Sequence, residues 1–273
     1  MKLRSLLAPL LLLAPAAPAF AGTITVKGSD TMVILGQRWA EEYMKKNPST
    51  VIQVTGGGSG TGISALINGT TDVCESSRSM KDAEKEKLRD RYNTTGVEVP
   101  VARDGLAVYV SASNPINEIS MADLKAIFTG KVTSWKELGG PDSKIIVYSR
   151  ENSSGTYVFF KEHVLGGADF TPRAQTMPGT AAVVNAVAKE KFGIGYGGAA
   201  YAKGIKVLKV KGASGAAIEP TKATVMNGTY PLARPLFFYL RNKPSGDIKS
   251  FTDWVLSPEG QAIVEKVGYY PIK

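Results

Sequence analysis

The sequence predicts an α/β fold. Two observations carry this. Strand-like and helix-like segments alternate along the chain after residue 21. Three Gly/Ser/Thr loops, KGSDT, GGGSGTG and NSSGTY, each fall where a strand ends and a helix begins. No period of roughly 20–50 residues cuts across the alternation.

The elements follow in order. Residues 1–21, MKLRSLLAPLLLLAPAAPAFA, read as a cleavable export signal: Lys2 and Arg4, a Leu/Ala-rich stretch broken by prolines, and the small-x-small site Ala19-Phe20-Ala21. TITVKG (23–28) reads as a strand. Residues 32–46 read as a helix with Leu35, Trp39 and Tyr43 on one face, ended by Asn47-Pro48. VIQVTG (51–56) is a strand, and after the glycine loop a short helix spans Ile63 to Ile67 and stops at Asn68-Gly69. Asp72 to Glu75 form a short strand. Lys81 to Arg91 alternate in charge, the pattern of a solvated helix face. Residues 96–102 and 105–112 are two β-rich stretches. The second half repeats the theme: helix 121–130, strand 144–150, helix 154–166, and a helix then a buried strand within 179–198. Strands 205–212 and 233–241 follow, then two closing helical segments and a tail in 248–273.

Without the signal the chain has about 252 residues, enough for one large domain or two of roughly 125. Its net charge falls from +9 to +7, because the signal holds two cations and no acid. The charge is spread out, with no basic block interleaved with aromatics, so nucleic acid is not an expected partner, while a diffuse positive field favours anions. Cys74 is the single cysteine, so no internal disulfide can form and the residue reads as a buried apolar side chain. The single histidine, His163, reads as a surface or capping residue late in a helix.

Enzyme readings fare poorly against these residues. A serine nucleophile needs a base, and His163 lies well down the helix that follows Ser153. No G-x-S-x-G elbow occurs. A serine–lysine dyad stays open, although Ser79-Met80-Lys81 lacks the spacing of S-x-x-K. GGGSGTGI has the glycines of a phosphate-cradling NTPase loop but no lysine after them. Gly60, Gly62 and Ala65 give a loose G-x-G-x-x-A, a weak match. No histidine cluster supports a metal, and no cofactor is expected. What the residues do supply is hydroxyls, helix N-terminal N–H groups and the fork of Arg150. Together these suit a tetrahedral oxyanion.

The ensemble of motifs resembles the periplasmic phosphate-binding proteins of phosphate ABC transporters. It runs over nearly the whole chain: GSDTM (28–32), GGGSGTG (56–62), TDVCESSRSM (71–80), DGLAVYVSASNP (104–115) and LKAIFTGKVTSWKELGG (124–140). YSRENSSGT (148–156), GIGYGG (193–198), YPLARPLFFYL (230–240) and SPEGQAIVEKVGYYP (257–271) complete it. The resemblance implies a two-lobed periplasmic binding protein of type II. Lobe I would be residues 22–104 plus 231–273 and lobe II 105–230, with crossings near Asp104 and Tyr230 and a ligand cleft between the lobes. It implies a monomer that binds inorganic phosphate and hands it to a membrane permease. A hydrolase on the same fold, or a receptor for sulfate or molybdate, are the alternatives.

The implied contacts are the GSDTM loop, namely Ser29, Asp30, Thr31 and the N–H of Met32, then Ser59, Arg150, and the trio Ser154, Gly155 and Thr156. The family's usual aspartate in the third segment is Ser77 here, followed by Arg78. The acceptor for the anion's proton is therefore open. Asp30 is one candidate and is equally a candidate helix N-cap; Asp72 is another cap or strand-end residue, and whether Arg78 reaches the ligand is open too.

Overall fold

The computed structural model describes residues 22–213 and 215–272, and the expected export signal lies outside them. The first part runs β1 (Gly22–Gly28), α1 (Val33–Lys46), β2 (Thr50–Thr55), α2 (Ser59–Asn68), β3 (Val73–Ser76), α3 (Asp82–Tyr92) and β4 (Val97–Val110). The middle runs β5 (Glu118–Ser120), α4 (Met121–Phe128), β6 (Ile146–Arg150), α5 (Gly155–His163), β7 (Gln175–Met177), α6 (Gly179–Lys189) and β8 (Gly193–Gly198). The last part runs β9 (Lys206–Lys211), β10 (Ala217–Ile218), α7 (Lys222–Met226), β11 (Ala233–Leu240), α8 (Gly246–Leu256) and α9 (Pro258–Val267).

The strands follow the order β2-β1-β3-β11-β4-β8-β6-β7, with β9 also paired to β4. This path is two half-sheets that share one strand. Residues 97–105 of β4 pair antiparallel with β11, and residues 106–110 pair with β8 and β9. The chain thus forms two α/β lobes on a continuous, curled sheet. The sequence suggests two β-rich stretches here because Arg103-Asp104-Gly105 looks like a break. The strand runs on through it, since Asp104 is neutralised by its cross-strand partner Arg234.

Each half-sheet is covered on both faces. In the first, Leu35 and Trp39 of α1 pack with Phe238, Phe251 and Val264 on one side. Ile63 and Leu66 of α2 pack with Leu88 and Tyr239 on the other. The second half-sheet has Phe128, Trp135, Phe160 and Tyr196 on one face, and Val183 and Val187 of α6 with Tyr109 and Tyr148 on the other. The predicted stripe Leu35, Trp39, Tyr43 is buried, and Leu88 is the one buried residue of the charged helix α3. Cys74 is a free, buried thiol inside the second of these clusters. His163 lies in the last turn of α5, stacked on Phe159 with ring centroids 4.0 Å apart.

Helix α2 is longer than expected. It begins at Ser59, inside the glycine loop, and ends at Gly69 in the left-handed conformation, φ 76°. Elements β5, β7, β10 and α7 have no counterpart in the expectation. They span two to five residues, too few for any hydrophobic period to register.

The core predicts its own sensitivity. Phe238 is fully buried and meets Trp39 edge to face, with centroids 5.5 Å apart. Phe238→Ala is expected to destabilise the protein by about 3–5 kcal/mol in urea unfolding followed by circular dichroism. Ile34, 43 % exposed on α1, should cost about 0.5 kcal/mol or less when cut to Ala. Equal costs at the two positions would contradict this packing.

Candidate anion-binding site

Four polar loops meet where the two lobes face each other. The first follows β1. At Gly28, φ 151°, the chain passes so close to β3 that a Cβ would lie 2.0 Å from the Glu75 carbonyl oxygen. Only glycine fits. The Ser29 amide donates to that carbonyl at 2.9 Å. Ser29 and Thr31 then turn inward and are almost wholly buried. Ser29 Oγ donates to Ser77 Oγ at 3.0 Å, and Thr31 Oγ1 lies 2.8 Å from Thr156 Oγ1 across the cleft.

The second loop opens α2. The Gly58 amide donates to the Gly28 carbonyl at 2.9 Å, and the Gly60 amide donates across the cleft to the Ser153 carbonyl at 2.8 Å. Ser59 is fully buried and its Oγ accepts from the Ser77 amide at 3.1 Å. The third loop brings Ser77 itself. Arg78 beside it turns away: its guanidinium forks onto Glu84 at 2.7 and 2.8 Å and reaches the Ser79 carbonyl. Arg78 is thus tied to α3 and to its own loop.

The fourth loop joins β6 to α5. Ser154 caps α5, its Oγ accepting from the Tyr157 amide at 3.3 Å, so its hydroxyl hydrogen is free to donate elsewhere. Gly155 packs so tightly that a Cβ would lie 2.3 Å from Ser59 Oγ and 2.7 Å from Ser77 Oγ. Arg150 ends β6 with a side chain only 1 % exposed. It donates to Glu151 Oε2 (3.1 Å), Thr180 Oγ1 (3.0 Å) and Asp30 Oδ2 (2.8 Å). A guanidinium has five N–H groups, so two remain.

The structure therefore brings together Ser29, Asp30, Thr31, Ser59, Ser77, Arg150, Ser154, Gly155 and Thr156 from four separated stretches. Two expectations need correcting. Asp30 does not cap α1; its Oδ1 accepts from the Gly57 amide at 2.8 Å, its Oδ2 accepts from Arg150, and Met32 is the residue at the cap position. Both carboxylate oxygens of Asp30 are thereby engaged. Met32 buries its side chain in the first core, and its amide closes a turn onto the Ser29 carbonyl at 2.9 Å, so no N–H is left over there. Asp72 bonds Thr25 through both its amide and its hydroxyl, away from the cleft, as a strand-end residue.

Sequence reasoning missed three residues that the fold puts at or beside these loops. Thr180, in the first turn of α6, holds Arg150. Arg234 and Asp104 form a buried pair that touches Thr156 and the Ser77 carbonyl. The available signal was Arg234, the one charge in the apolar strand β11, and Asp104, an acid at the middle of β4. His163 sits at the far end of α5 from Ser154, roughly 13 Å along a helix of this length. No group of metal-ligating side chains gathers among the described residues.

A buried carboxyl lies behind the first loop. Glu75 of β3 is fully buried, and neither of its carboxyl oxygens has a partner. It fits because Gly36 of α1 lacks a side chain; a Cβ there would lie 2.2 Å from Glu75 Oε1. Burial raises the Glu75 pKa from 4.5 to about 8, so at neutral pH the group is a neutral acid.

These features, a sheet shared by two lobes and polar loops that close on each other between them, define a binding protein of the PBP superfamily, whose family model, described as a PBP superfamily domain, matches residues 14–259. Narrower likenesses follow. The chain is 37 % identical over 274 residues to the phosphate-binding protein PstS of Pseudomonas aeruginosa, covering 94 % of this chain and 85 % of that one. It is 36 % identical over 261 residues to the phosphate-binding protein PstS of Staphylococcus epidermidis, covering 91 % and 78 %. Among solved structures, a phosphate ABC transporter substrate-binding protein from Clostridium perfringens, so described and crystallised with bound phosphate, superposes with a TM-score of 0.84 at 31 % identity, covering 92 % of this chain and all of that one. An ABC-type phosphate transport receptor from Vibrio cholerae gives 0.74 at 28 % identity, covering 90 % and 99 %. The chain belongs to the phosphate-binding protein family of the PBP superfamily.

Glu75 predicts a pH dependence of stability. A raised folded pKa means the folded state holds the proton more tightly than the unfolded chain. The group's contribution is then whole below about pH 4.5 and is lost as pH rises toward about 8. Stability should fall by up to about 1.4 kcal/mol per pH unit in that window on account of this residue. Glu75→Gln should flatten the slope in urea titrations at several pH values. An unchanged slope would show that the carboxyl ionises freely in the folded protein.

Proposed function

We propose that this chain captures inorganic phosphate between its two lobes and delivers it to the membrane permease of an ABC transporter. The observation that carries the reading is the set of hydrogen-bond donors converging from both lobes on one point, with Arg150 buried among them. Such a set suits an anion with four oxygens. The relatives named as phosphate-binding proteins, and the C. perfringens structure with bound phosphate, support the same ligand.

In this reading Ser59, Ser77 and Ser154 donate hydroxyl hydrogens, the Thr31–Thr156 pair supplies one more, Ser29 holds Ser77 in place, and the Gly155 amide donates from the α5 N-terminus, where the helix dipole favours negative charge. Arg150 supplies its two remaining N–H groups. Asp30 from the facing lobe holds Arg150 in place. Lobe I comprises residues 22–104 and 231–273, lobe II residues 105–230, and each contributes loops, so one monomer completes the site. Closure is a hinge motion about the crossing segments. Residues 1–21 direct the chain to the periplasm, and the protein binds without catalysing a reaction.

Calorimetry on protein stripped of anions, with phosphate, arsenate, sulfate and molybdate, tests the reading. Phosphate and arsenate should bind well ahead of the other two. A preference for sulfate or molybdate would overturn the ligand assignment, and release of product from a chromogenic phosphate ester would overturn the binding-only reading. Removing a contact to a buried charge costs about 2–5 kcal/mol, so Arg150→Ala should weaken phosphate binding by about 30-fold or more with the fold intact. Arg150→Lys should rescue only part of this, because an ammonium cannot reproduce the fork.

Gly155 tests the closure. An alanine there would press on Ser59 and Ser77 from the opposite lobe. Gly155→Ala should leave thermal stability near the parent's, weaken phosphate binding by about tenfold or more, and abolish the contraction seen by X-ray scattering when phosphate is added. Full contraction in the variant would mean that these lobes do not close through Gly155.

A further inference from the structure

Arg234 has no counterpart among the contacts that the four loops make with one another. It faces Asp104 across β11 and β4, at the point where β4 leaves one half-sheet and enters the other. Both side chains are 1 % exposed. Asp104 Oδ2 accepts from Arg234 Nε at 3.0 Å and from Nη2 at 2.8 Å, which neutralises the buried cation. The outer edge of the guanidinium then reaches two acceptors, one in each lobe: Nη2 donates to Thr156 Oγ1 at 3.0 Å and Nη1 to the Ser77 carbonyl at 3.2 Å. Its Cζ lies 5.2 Å from the centre of the Phe159 ring, which packs against the cation.

These bonds decide what the cleft can present. A hydroxyl can give or take a hydrogen bond, whereas a fully ionised oxyanion can only take one. Thr31 and Thr156 have two hydroxyl hydrogens between them and spend one on their mutual contact. With a lone pair of Thr156 occupied by Arg234, the hydrogen that is left over is available to a ligand. The Ser77 carbonyl, an acceptor that would repel an anion's oxygens, is occupied by the same fork. We propose that Arg234 is a positioning residue of the site: it takes up the acceptors on Thr156 and Ser77 in both lobes, so that neither of these two groups turns an acceptor toward an oxyanion in the closed cleft. Asp104 supports this by holding the guanidinium level with both loops. The inference rests on the phosphate reading given above and assigns a specificity role to a pair outside the loops.

A structural role alone predicts lost stability and nothing more. The positioning role predicts two further changes, both measured by phosphate titration. Arg234→Lys keeps a cation beside Asp104 but cannot span three acceptors. It should weaken phosphate binding by about tenfold or more. The loss should be larger in alkaline buffer, where the doubly ionised anion dominates, than in mildly acid buffer, where the freed acceptors can meet the hydrogens of the singly ionised form. Because Arg234 works through Thr156, the losses from Arg234→Lys and Thr156→Val should not add in the double variant. Should Arg234→Lys fail to fold, the pair Arg234→Gln with Asp104→Asn, which removes both charges together, serves in the same titrations and the same cycle. Parent-like affinity at both pH values, or losses that simply add, would overturn the proposal while leaving phosphate capture standing. If the unmodified protein binds no phosphate, the functional reading falls and this inference falls with it.

Discussion

Burying Arg150 constrains most of what surrounds it. A guanidinium cannot shed its charge, and a buried charge without partners is costly. Its partners come from three places in the chain: Glu151 next door, Thr180 on α6, and Asp30 from the opposite lobe. The last of these links the lobes directly, because Asp30 also fixes the glycine loop through the Gly57 amide. One charged group thus orders the first loop, the second loop and the start of α6. With three N–H groups committed, the fork is held in one orientation before any anion arrives, which lowers the entropy lost on binding.

The continuity of β4 is the complementary constraint. A strand that belongs to two half-sheets joins two lobes without a flexible linker. The crossing carries a buried ion pair, Asp104–Arg234, where an apolar pair would pack more simply. Buried pairs of this kind contribute little net stability. Here the arginine's remaining N–H groups reach one loop of each lobe.

The serine- and threonine-rich loops also hold one another in place. Ser29, Thr31, Ser59, Ser77, Ser154 and Thr156 each bond another hydroxyl, a backbone group or an arginine. Ser154, the second serine of the motif, is a helix cap. Glu75, the buried acid behind the first loop, faces Gly36 on α1.

The sequence by itself determined the α/β class, the long helices with their buried stripes, and the loops that carry the donors. These are local matters: hydrophobic period, glycine and cap chemistry operate over a few residues, so Leu35, Trp39 and Tyr43, or Ser154 before α5, can be read directly. Only the tertiary structure decided which way the charged side chains point. Arg78 and Arg150 look alike beside their serines, yet one forks onto Glu84 and the other sends a single N–H to Asp30, 120 residues away. Asp30 looks like a cap and is a cross-lobe partner, and the amide of Met32 is spent on a turn. Arg234 is the lone charge of an apolar strand, a local mark that names no partner, and its role appears only when β11 is laid against β4 in register. Ion pairs and shared acceptors depend on distances that folding alone sets, and so they leave little trace in the pattern of neighbouring residues.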